Sequence, residues 1–594
     1  MKLRKIYTSA GILLLSLFCI GDAVAKDAKF ETGVSFGSTG ADEPYSSLTD
    51  KDGNYYISGM CRGDVEFAGG ATIKGRGGMD AVIVKYDAEL NFLWARAVGG
   101  SKDDTFERIA VTSAGDIVAV GKISGDVTID GTEQTLSGTQ STDGCIVVYD
   151  KDGNYKSSAQ IKAAGASLCY SVAVDKSDNI FVTGSTVGAT DFGNEKTVTI
   201  EGSNPGTFLA CYNNSLVCQW AIAGSSPVQS YGWAVNFDKE ENILLTGRFG
   251  TTFTITGTDG EALTTAVGSE SSQDTYVAKL SHEGVGQWIT YVTNSNRIDT
   301  RSIDSDSQGN VYIWGHCQSA VTPEGQSPLG FNGNFDSFLI KYSSAGAYLD
   351  GMNLGGSGRD EAKSLFVDAD DNIYVAGNVN GDGSKGGTAV NMNPRGESKD
   401  YTFKGHDGYV AKYNGSTWEL MQLEKTVTPD NANQHEVAWC VTMSPDYNKV
   451  YVTGYFNNGA TVFDGASLTL PFVQDYDIYT VLYSYTLMVK TKTLEPGVAN
   501  EPYYSNIVVD NVEGAVKFEI VSGTLPDGIT LSKDGAFAGT PTKNGPYTFT
   551  VKISDDVSSI QKEYTLVIKS GEGCDVFIVT DQCPDAYIGY SYSL

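Results

Sequence analysis

The chain has 594 residues, 72 of them acidic and 42 basic, and its formal net charge at pH 7 is −30. This length exceeds what one hydrophobic core usually serves, so we expect one large domain with one or two small ones. The acidic field repels phosphate backbones, which argues against a nucleic acid as partner. The 69 glycines and 33 tyrosines favour many strands and tight turns over helices.

The first 25 residues have the pattern of a secretory signal peptide. Lys2, Arg4 and Lys5 precede an apolar run at 12–20, and the small-residue triplet 23–25 predicts cleavage before Lys26. No later stretch approaches about 20 consecutive apolar residues, so no transmembrane segment is expected. The pattern predicts an exported protein that is extracellular or held at the cell surface.

One element, which reads as a turn, an apolar strand and a glycine, recurs along the chain. It is DKDGNYYISG at Gly59, and its further copies end at Gly121, Gly184, Gly247, Gly315, Gly377 and Gly454. A second element, DAVIVKY at 80–86, recurs in step with the first, and many copies are followed by a tryptophan. Four short strands per period indicate a propeller blade, because a lone four-stranded sheet cannot bury both faces and a closed ring of blades can. The repeats predict a seven-bladed β-propeller over residues 26–490.

The series DAVIVKY, tryptophan, GGSKDD, IAVT and GDIVAVG resembles the bacterial β-propeller repeat family known as SBBP repeats, over about residues 30–484. The third copy departs from the pattern with Gly206 in place of the leading aspartate, and the seventh lacks the tryptophan. The winding of similar propellers implies that the IAVT-type strand is innermost and the tryptophan strand outermost. It also implies that an N-terminal strand near Phe30 to Phe36 completes the last blade.

The same winding sorts the loops onto two faces. One face has the tight turns, and the other has the GGSKDD-type loops and the insertions after each glycine strand, most of which we expect to form small hairpins. Variable loops on a rigid frame favour binding, so we predict a ligand site on the insertion-rich face and the channel mouth. The candidate binding residues are Asp42, Asp103, Asp104, Asp360 and Glu361. A second interpretation of the repeating aspartates Asp42, Asp104 and Asp360 is that they accept hydrogen bonds from their own loops.

The cysteines show no CxxC pair, which gives a zinc site little support. Disulfides are plausible in an oxidising compartment. Cys211 and Cys218 flank a turn and are predicted to face each other across a hairpin. Cys574 and Cys583, near the C-terminus, are a second candidate pair.

The pattern changes near Leu494. Alternating strands separated by Pro and Gly turns predict a β-sandwich over residues 491–569. The run GTLPDGITLSKDGAFAGTPTKNGPYTFTVKISD is similar to the Ig-like family also described as dystroglycan-type cadherin-like. That resemblance implies an adhesive or spacer module, and calcium at Asp555 and Asp556 is weighed against a solvated turn. Residues 570–594 echo the start of the sandwich and are interpreted as a second, truncated module.

No catalytic signature emerges from the sequence. None of the four histidines lies in an HExxH pair, and no helical pattern supports a GxSxG elbow or a Walker loop. The favoured hypothesis is a surface binding or adhesion protein that recognises protein or glycan without catalysis, with calcium as the one cofactor under consideration. The alternative is a secreted glycan-active hydrolase or lyase with its site in the channel. Carboxylates, a histidine and an arginine converging there without repetition would favour the enzyme.

Overall fold

The protein is seen in a computed structural model that describes residues 28–570, apart from 267–272, 381–387, 398–399, 404–405, 428–434, 458–460, 464–465, 469, 471–473, 486, 490, 492, 511, 513 and 556–558. The predicted signal peptide therefore lies outside the described residues. Regular structure in the described part consists of β-strands and one 3-10 turn, Ala68–Gly70. None of the described residues forms a helix of the length and hydrophobicity that crossing a bilayer requires.

Strands β1 to β39 build the repeated region. They are Lys29–Phe36 (β1), Glu43–Thr49 (β2), Tyr55–Cys61 (β3), Val65–Glu66 (β4), Thr72–Ile73 (β5), Asp80–Tyr86 (β6), Phe92–Gly100 (β7), Thr105–Val111 (β8), Ile117–Ile129 (β9), Thr135–Tyr149 (β10), Tyr155–Ala163 (β11), Ser167–Val174 (β12), Ile180–Thr186 (β13), Gly188–Asp191 (β14), Thr197–Ile200 (β15), Gly206–Tyr212 (β16), Cys218–Ser225 (β17), Ser230–Phe237 (β18), Ile243–Phe249 (β19), Thr252–Thr256 (β20), Ala262–Ala266 (β21), Asp274–Leu280 (β22), Gly286–Thr293 (β23), Ile298–Ser305 (β24), Val311–Cys317 (β25), Thr322–Pro323 (β26), Asp336–Tyr342 (β27), Tyr348–Leu354 (β28), Glu361–Val367 (β29), Ile373–Asn380 (β30), Thr388–Asn391 (β31), Asp400–Phe403 (β32), His406–Tyr413 (β33), Leu420–Val427 (β34), Glu436–Met443 (β35), Lys449–Phe456 (β36), Thr461–Phe463 (β37), Ala466–Leu468 (β38) and Asp477–Ser484 (β39).

Within the described part of the chain, the repeated strands pair into seven antiparallel four-stranded units. From inside outward these are β2-β3-β6-β7, β8-β9-β10-β11, β12-β13-β16-β17, β18-β19-β22-β23, β24-β25-β27-β28, β29-β30-β33-β34 and β35-β36-β39-β1. We number them blades 1 to 7. The outermost strand of blade 7 is the N-terminal β1, whose Lys29 lies opposite Ser484 and Phe36 opposite Ile478. Both ends of the repeated region thus meet in one sheet, which closes the ring.

The first strand of each blade is the innermost, and neighbouring first strands contact one another around the channel. Side-chain hydrogen bonds connect them where the ring closes. Thr49 Oγ1 donates to the carbonyl oxygen of Met443 at 2.6 Å, and Thr442 Oγ1 donates to that of Ser47 at 3.1 Å. The ring therefore presents seven parallel inner strands to one central channel.

Each pair of adjacent blades shares an apolar core. The largest of the fully buried side chains is Trp314, which lies between blades 5 and 6 and donates its indole N–H to the carbonyl oxygen of Ala376 at 3.0 Å. The outer tryptophans also pack between blades, since Trp94 Nε1 donates to Lys151 O and Trp288 Nε1 to Ser344 O, each at 3.1 Å. This packing buries both faces of every sheet. The predicted all-β class and propeller architecture are confirmed.

The tight turns hold themselves together by aspartate side chains. Asp50 Oδ1 accepts the backbone N–H groups of Asp52 at 3.0 Å and Asn54 at 2.9 Å, and Gly53 between them has φ of 85°. Equivalent bonds form at Asp175, Asp238, Asp306 and Asp368. These carboxylates are Asx-turn acceptors, which explains why the turn sequence repeats.

The insertions form hairpins that extend the outer edges of the blades. The hairpin β14–β15 joins blade 2 because β14 pairs with β11. In the same way, β20 of hairpin β20–β21 pairs with β17, and β37 of hairpin β37–β38 pairs with β34. The far end of β9 pairs with β7 in the same way. Most insertions therefore lie at the perimeter of the ring, away from the channel.

The predicted pairing of Cys211 with Cys218 is wrong, because both are free thiols. The register places Cys211 opposite Trp220 and Cys218 opposite Tyr212, so the two cysteines occupy positions of opposite parity along the hairpin. Side chains of opposite parity point to opposite faces of a sheet. Accordingly, Cys218 packs in the core between blades 2 and 3, and Cys211 in the core between blades 3 and 4. Cys574 and Cys583 lie outside the described residues.

The C-terminal domain is a small β-sandwich, as predicted. Its strands are Met488–Val489 (β40), Gly497–Val498 (β41), Tyr503–Asn506 (β42), Val509–Asp510 (β43), Lys517–Gly523 (β44), Ile529–Leu531 (β45), Ala536–Gly539 (β46), Gly545–Ser554 (β47) and Ser559–Lys569 (β48). One sheet has the order β41-β48-β47-β44 and the other β42-β46-β45. Phe537, Phe549, Tyr564 and Leu566 fill the space between them.

Candidate functional site

The inner strands share one irregularity that the repeat pattern does not reveal. Each inner strand has a β-bulge at the equivalent place, where one residue has no paired residue on the neighbouring strand. A bulge redirects its side chain and is common beside active sites. The bulged residues are Tyr45, Glu107, Tyr170, Trp233, Arg301, Lys363 and Trp439. All seven line one space of about 80 Å³ in the channel, and we call them the bulge ring.

Aromatic side chains occupy two opposite sides of the bulge ring. On one side, the ring centroids of Tyr170 and Trp233 are 4.5 Å apart, and Tyr231 stacks on Trp233 at 5.6 Å. On the other side, Tyr45 lies 5.6 Å from Trp439. The first group belongs to blades 3 and 4, the second to blades 1 and 7. A ligand in the channel thus meets flat apolar faces from two directions.

Blades 5 and 6 add cations between these aromatic sides. The Arg301 guanidinium lies 5.3 Å from the ring centroid of Trp233, and Lys363 Nζ lies 4.1 Å from that of Trp439. Lys363 also pairs with Glu361 at 2.8 Å. Cation–π contacts of this kind hold long basic side chains in a fixed position.

Asp299 anchors the arginines at the mouth of the channel. Its carboxylate is fully buried and lies 2.7 Å from Arg297 Nη2, 3.1 Å from Arg248 Nη1 and 3.7 Å from His316 Nε2. Burial alone would raise the pKa of Asp299, but the attraction of Arg301, Arg248 and Arg297 holds it below the ordinary value. Burial lowers the pKa of His316 to about 4, so this imidazole is neutral at physiological pH.

Glu107 is the one acid among the bulge-ring side chains. It accepts a hydrogen bond from Thr105 Oγ1 at 2.7 Å and forms no ion pair within the described part of the chain. Burial raises the pKa of this carboxyl group, although Lys122, Arg301 and Arg108 attract its charge. It faces a space that also contains three cations, Arg108, Arg301 and Lys363.

Several donors in this space have no acceptor. Arg108 Nε, Arg301 Nε and Trp233 Nε1 are buried, and none of the described residues accepts a hydrogen bond from them. Arg108 follows Glu107 directly and lines both the bulge-ring space and a second space of about 310 Å³ further along the channel. Buried polar groups in folded proteins are almost always hydrogen-bonded, so unpaired donors that face an open channel indicate a place for acceptors.

The second space is lined mainly by serines and aliphatic side chains. Its size reaches the lower end of the range of small-molecule sites. Its acid, Asp304, accepts the backbone N–H groups of Val367 and Ser305, each at 2.9 Å, and burial raises its pKa to about 6. This space lengthens the channel site towards the face with the tight turns.

The sequence-predicted binding residues have different positions. Asp42, Asp104 and Asp360 are buried at the starts of the inner strands, where each accepts backbone N–H groups. Asp104, for example, binds Gly100 N at 2.9 Å and Ser124 N at 2.7 Å. Burial raises the pKa of Asp104 and of Asp360 to about 7. These three match the loop-capping interpretation.

Of the other two candidates, Asp103 is accessible, whereas the side chain of Glu361 is largely buried in ion pairs. Asp103 is exposed and accepts the backbone N–H of Met79 at 3.0 Å. Glu361 lies at the channel mouth beside Lys363 and Arg359. Burial would raise the pKa of Glu361, but the charges of Lys363 and Arg359 hold it well below the usual range.

The proposed calcium site remains a prediction. Asp555 directly follows β47, and Asp556 lies outside the described residues. Within the described ranges, no group of three or more acidic, histidine or cysteine side chains is arranged to hold a metal ion.

Sequence reasoning missed the bulge ring, although a signal was present. Tyr45, Glu107, Tyr170, Trp233, Arg301 and Lys363 each precede the glycine of their copy by 14 residues, and Trp439 precedes Gly454 by 15. Aligning the copies on that glycine brings these positions into one column. That column contains four aromatic, two basic and one acidic residue, whereas the columns on either side contain mainly small residues.

Two family profiles match parts of this chain. The profile described as "Beta-propeller repeat" (SBBP) matches residues 158–193, and the one described as "Putative Ig domain" matches residues 480–569. The chain contains both domain types. Both resemblances drawn from the sequence are therefore confirmed.

More distant similarities extend over most of the chain. An uncharacterized WD repeat-containing protein of Acanthamoeba polyphaga mimivirus is 21% identical over 435 residues, which is 60% of this chain and 31% of the relative. The chain thus spans about a third of the curated relative that it matches. A streptogramin B lyase structure aligns with TM-score 0.34 and 9% identity, over 76% of this chain and 97% of the other. The periplasmic gluconolactonase of Pseudomonas aeruginosa aligns with TM-score 0.33 and 10% identity, over 71% and 98%.

Proposed function

We propose that this protein is an exported surface-binding protein that takes a glycan into the bulge-ring end of its channel, with the Ig-like domain as a spacer or adhesive module. The observation that carries the proposal is that seven equivalent bulges present four aromatic, two basic and one acidic side chain to one space. Such mixed chemistry suits a ligand without sevenfold symmetry, which meets a different surface on each side of the channel. A protein-binding or structural role is the coarser function that a propeller with an Ig-like domain supports.

A glycan fits this site better than the surface of a folded protein does. The bulge ring lies inside the channel, which a flat protein surface cannot enter. Sugar rings have apolar faces that pack on aromatic rings such as Trp233 and Trp439, and hydroxyl groups that accept hydrogen bonds from unpaired donors such as Trp233 Nε1. The bulge-ring space combines four aromatic rings with four charged side chains, which offers a sugar both apolar faces and hydrogen-bonding partners.

The test is an oligosaccharide array probed with the mature chain. We expect retention of one or more oligosaccharides, with affinity reduced by about tenfold or more in Trp233→Ala because an aromatic platform is lost. Tyr447→Ala is the control, since Tyr447 is an exposed aromatic residue in a tight turn on the other face. Failure to retain any glycan, or equal binding by Trp233→Ala and the unmodified protein, would reject the proposal.

Glu107 favours catalysis as a second candidate function. Its carboxyl group has a raised pKa and faces Arg301, a combination suited to a proton donor. A bound oligosaccharide incubated with the protein would then be cleaved, and Glu107→Gln would bind it without cleavage. An intact oligosaccharide after prolonged incubation would leave binding as the function.

A further inference from the structure

Arg108 is the feature of the channel that the fold does not explain. Within the described residues, its guanidinium forms no ion pair or hydrogen bond, and its Nε is buried without an acceptor. The other arginines at this end of the channel differ, since Arg248, Arg297 and Arg359 each pair with a carboxylate within 3.1 Å. Arg108 is partly buried, and a buried guanidinium N–H without an acceptor destabilises a fold, so its presence calls for an anion.

Other donors of the bulge ring face the same space. Arg301 lies above Trp233 with its Nε unpaired, and its Nη2 is 4.0 Å from the nearest carboxylate oxygen, on Asp299. The indole N–H of Trp233 is also unpaired. Two guanidinium groups and an indole N–H beside an aromatic face fit a planar carboxylate attached to an apolar ring, because guanidinium binds carboxylate through two parallel hydrogen bonds.

The overall charge narrows the choice of anion. The chain has a formal net charge of −30, yet the bulge-ring space contains three cations, Arg108, Arg301 and Lys363, and one acid, Glu107. An acidic surface repels a dense polyanion before it reaches the channel. A sugar with a single carboxylate meets far less repulsion and gains the full attraction inside.

We infer that the glycan bound here contains a carboxylate-bearing sugar, whose carboxylate binds Arg108 and Arg301 while its ring packs against Trp233. This inference rests on the proposed glycan-binding function and specifies its ligand. Arg108 and Arg301 would then provide specificity, because a neutral sugar leaves Arg108 without an anionic partner and Arg301 with Asp299 at 4.0 Å.

The experiment compares paired probes on the mature chain by isothermal titration calorimetry. The probes are oligosaccharides that contain a hexuronic or sialic acid, their carboxyl-reduced neutral counterparts, and inorganic phosphate. We expect the acidic oligosaccharide to bind at least about tenfold more tightly than its neutral counterpart. Arg108→Gln and Arg301→Gln should each remove most of that difference, whereas Arg62→Gln, which changes an exposed arginine outside the channel, should keep it.

The outcomes separate this inference from the function on which it rests. Equal binding of acidic and neutral oligosaccharides would overturn the inference and leave glycan binding intact. Binding of phosphate alone would also overturn it, since the site would then take a simple anion. Binding of no saccharide would overturn the inference together with the proposed function.

Discussion

The inner strands of blades 1, 2 and 6 each have two positions, three residues apart, that differ in residue type, burial and contacts. The first contains an acid in several blades, namely Asp42, Asp104 and Asp360, and the second contains the bulge-ring residues Tyr45, Glu107 and Lys363. The acids are buried and bind backbone N–H groups of their own loops. The bulge-ring residues face the channel, where several donors have no acceptor. In a repeat protein, identity between copies indicates the framework, and difference between copies indicates function.

The difference follows from what each position contacts. The capping acids of blades 1, 2 and 6 accept equivalent backbone N–H groups, so aspartate suits all three copies. A side chain at a bulge meets the ligand and its neighbours in the channel, and these differ from blade to blade. Framework substitutions should therefore change stability, and bulge-ring substitutions should change binding.

Two tryptophans provide the largest expected contrast. Trp314→Ala should lower the free energy of unfolding by about 3–5 kcal/mol, because a fully buried ring and its hydrogen bond to Ala376 are lost from the core. Trp439→Ala should lower it by about 1 kcal/mol or less, because Trp439 is partly exposed in the channel. Denaturant titration measures both, and comparable losses would show that the bulge ring is part of the framework.

The pH dependence of stability provides an intermediate effect. Burial raises the pKa of Asp104 and of Asp360 to about 7 and that of Glu436 to about 9, so the folded protein binds these protons more tightly than the unfolded chain. The stabilisation is complete below the unfolded pKa and is lost as pH rises through the folded value. Between about pH 5 and about pH 8 the free energy of unfolding should fall by about 3 kcal/mol for each aspartate and by about 4 kcal/mol for Glu436.

Asp104→Asn is the variant that isolates one of these groups. This substitution should reduce the change of unfolding free energy with pH by the contribution of Asp104. Asp103→Asn, at the exposed neighbour, is the control and should leave the pH profile unchanged. A profile that rises with pH, or one that both variants alter equally, would contradict the framework role of the buried acid.

Much of the fold could be predicted because it depends on repetition. The seven strand-ending glycines and the DAVIVKY-type strands fixed the period, and the turn aspartates agreed with it. The match of "Putative Ig domain" to residues 480–569 likewise confirms the C-terminal assignment. The repeat period and the alternation of apolar and polar residues along a strand are local properties of the chain, so they can be recognised in a single sequence.

The channel site could not be predicted in the same way, because it depends on register. Tyr45 and Trp439 face the channel as a result of bulges, and a bulge becomes visible only when two strands are paired. The same limitation produced the wrong disulfide, since the faces of Cys211 and Cys218 depend on the register of β16 against β17. The insertion hairpins were expected beside the channel mouth, and the pairing of β14 with β11 and of β20 with β17 places them at the perimeter.

The central claim is that the bulge-ring end of the channel is built for a ligand and not for stability, and Arg108→Gln tests it most directly. The measurement is the free energy of unfolding of this variant without any ligand, relative to the unmodified protein. Loss of a partly buried charge that forms no ion pair or hydrogen bond with the described residues should leave that free energy unchanged or raise it by up to about 1 kcal/mol. A decrease of more than about 1 kcal/mol would show that Arg108 supports the fold and would contradict the account.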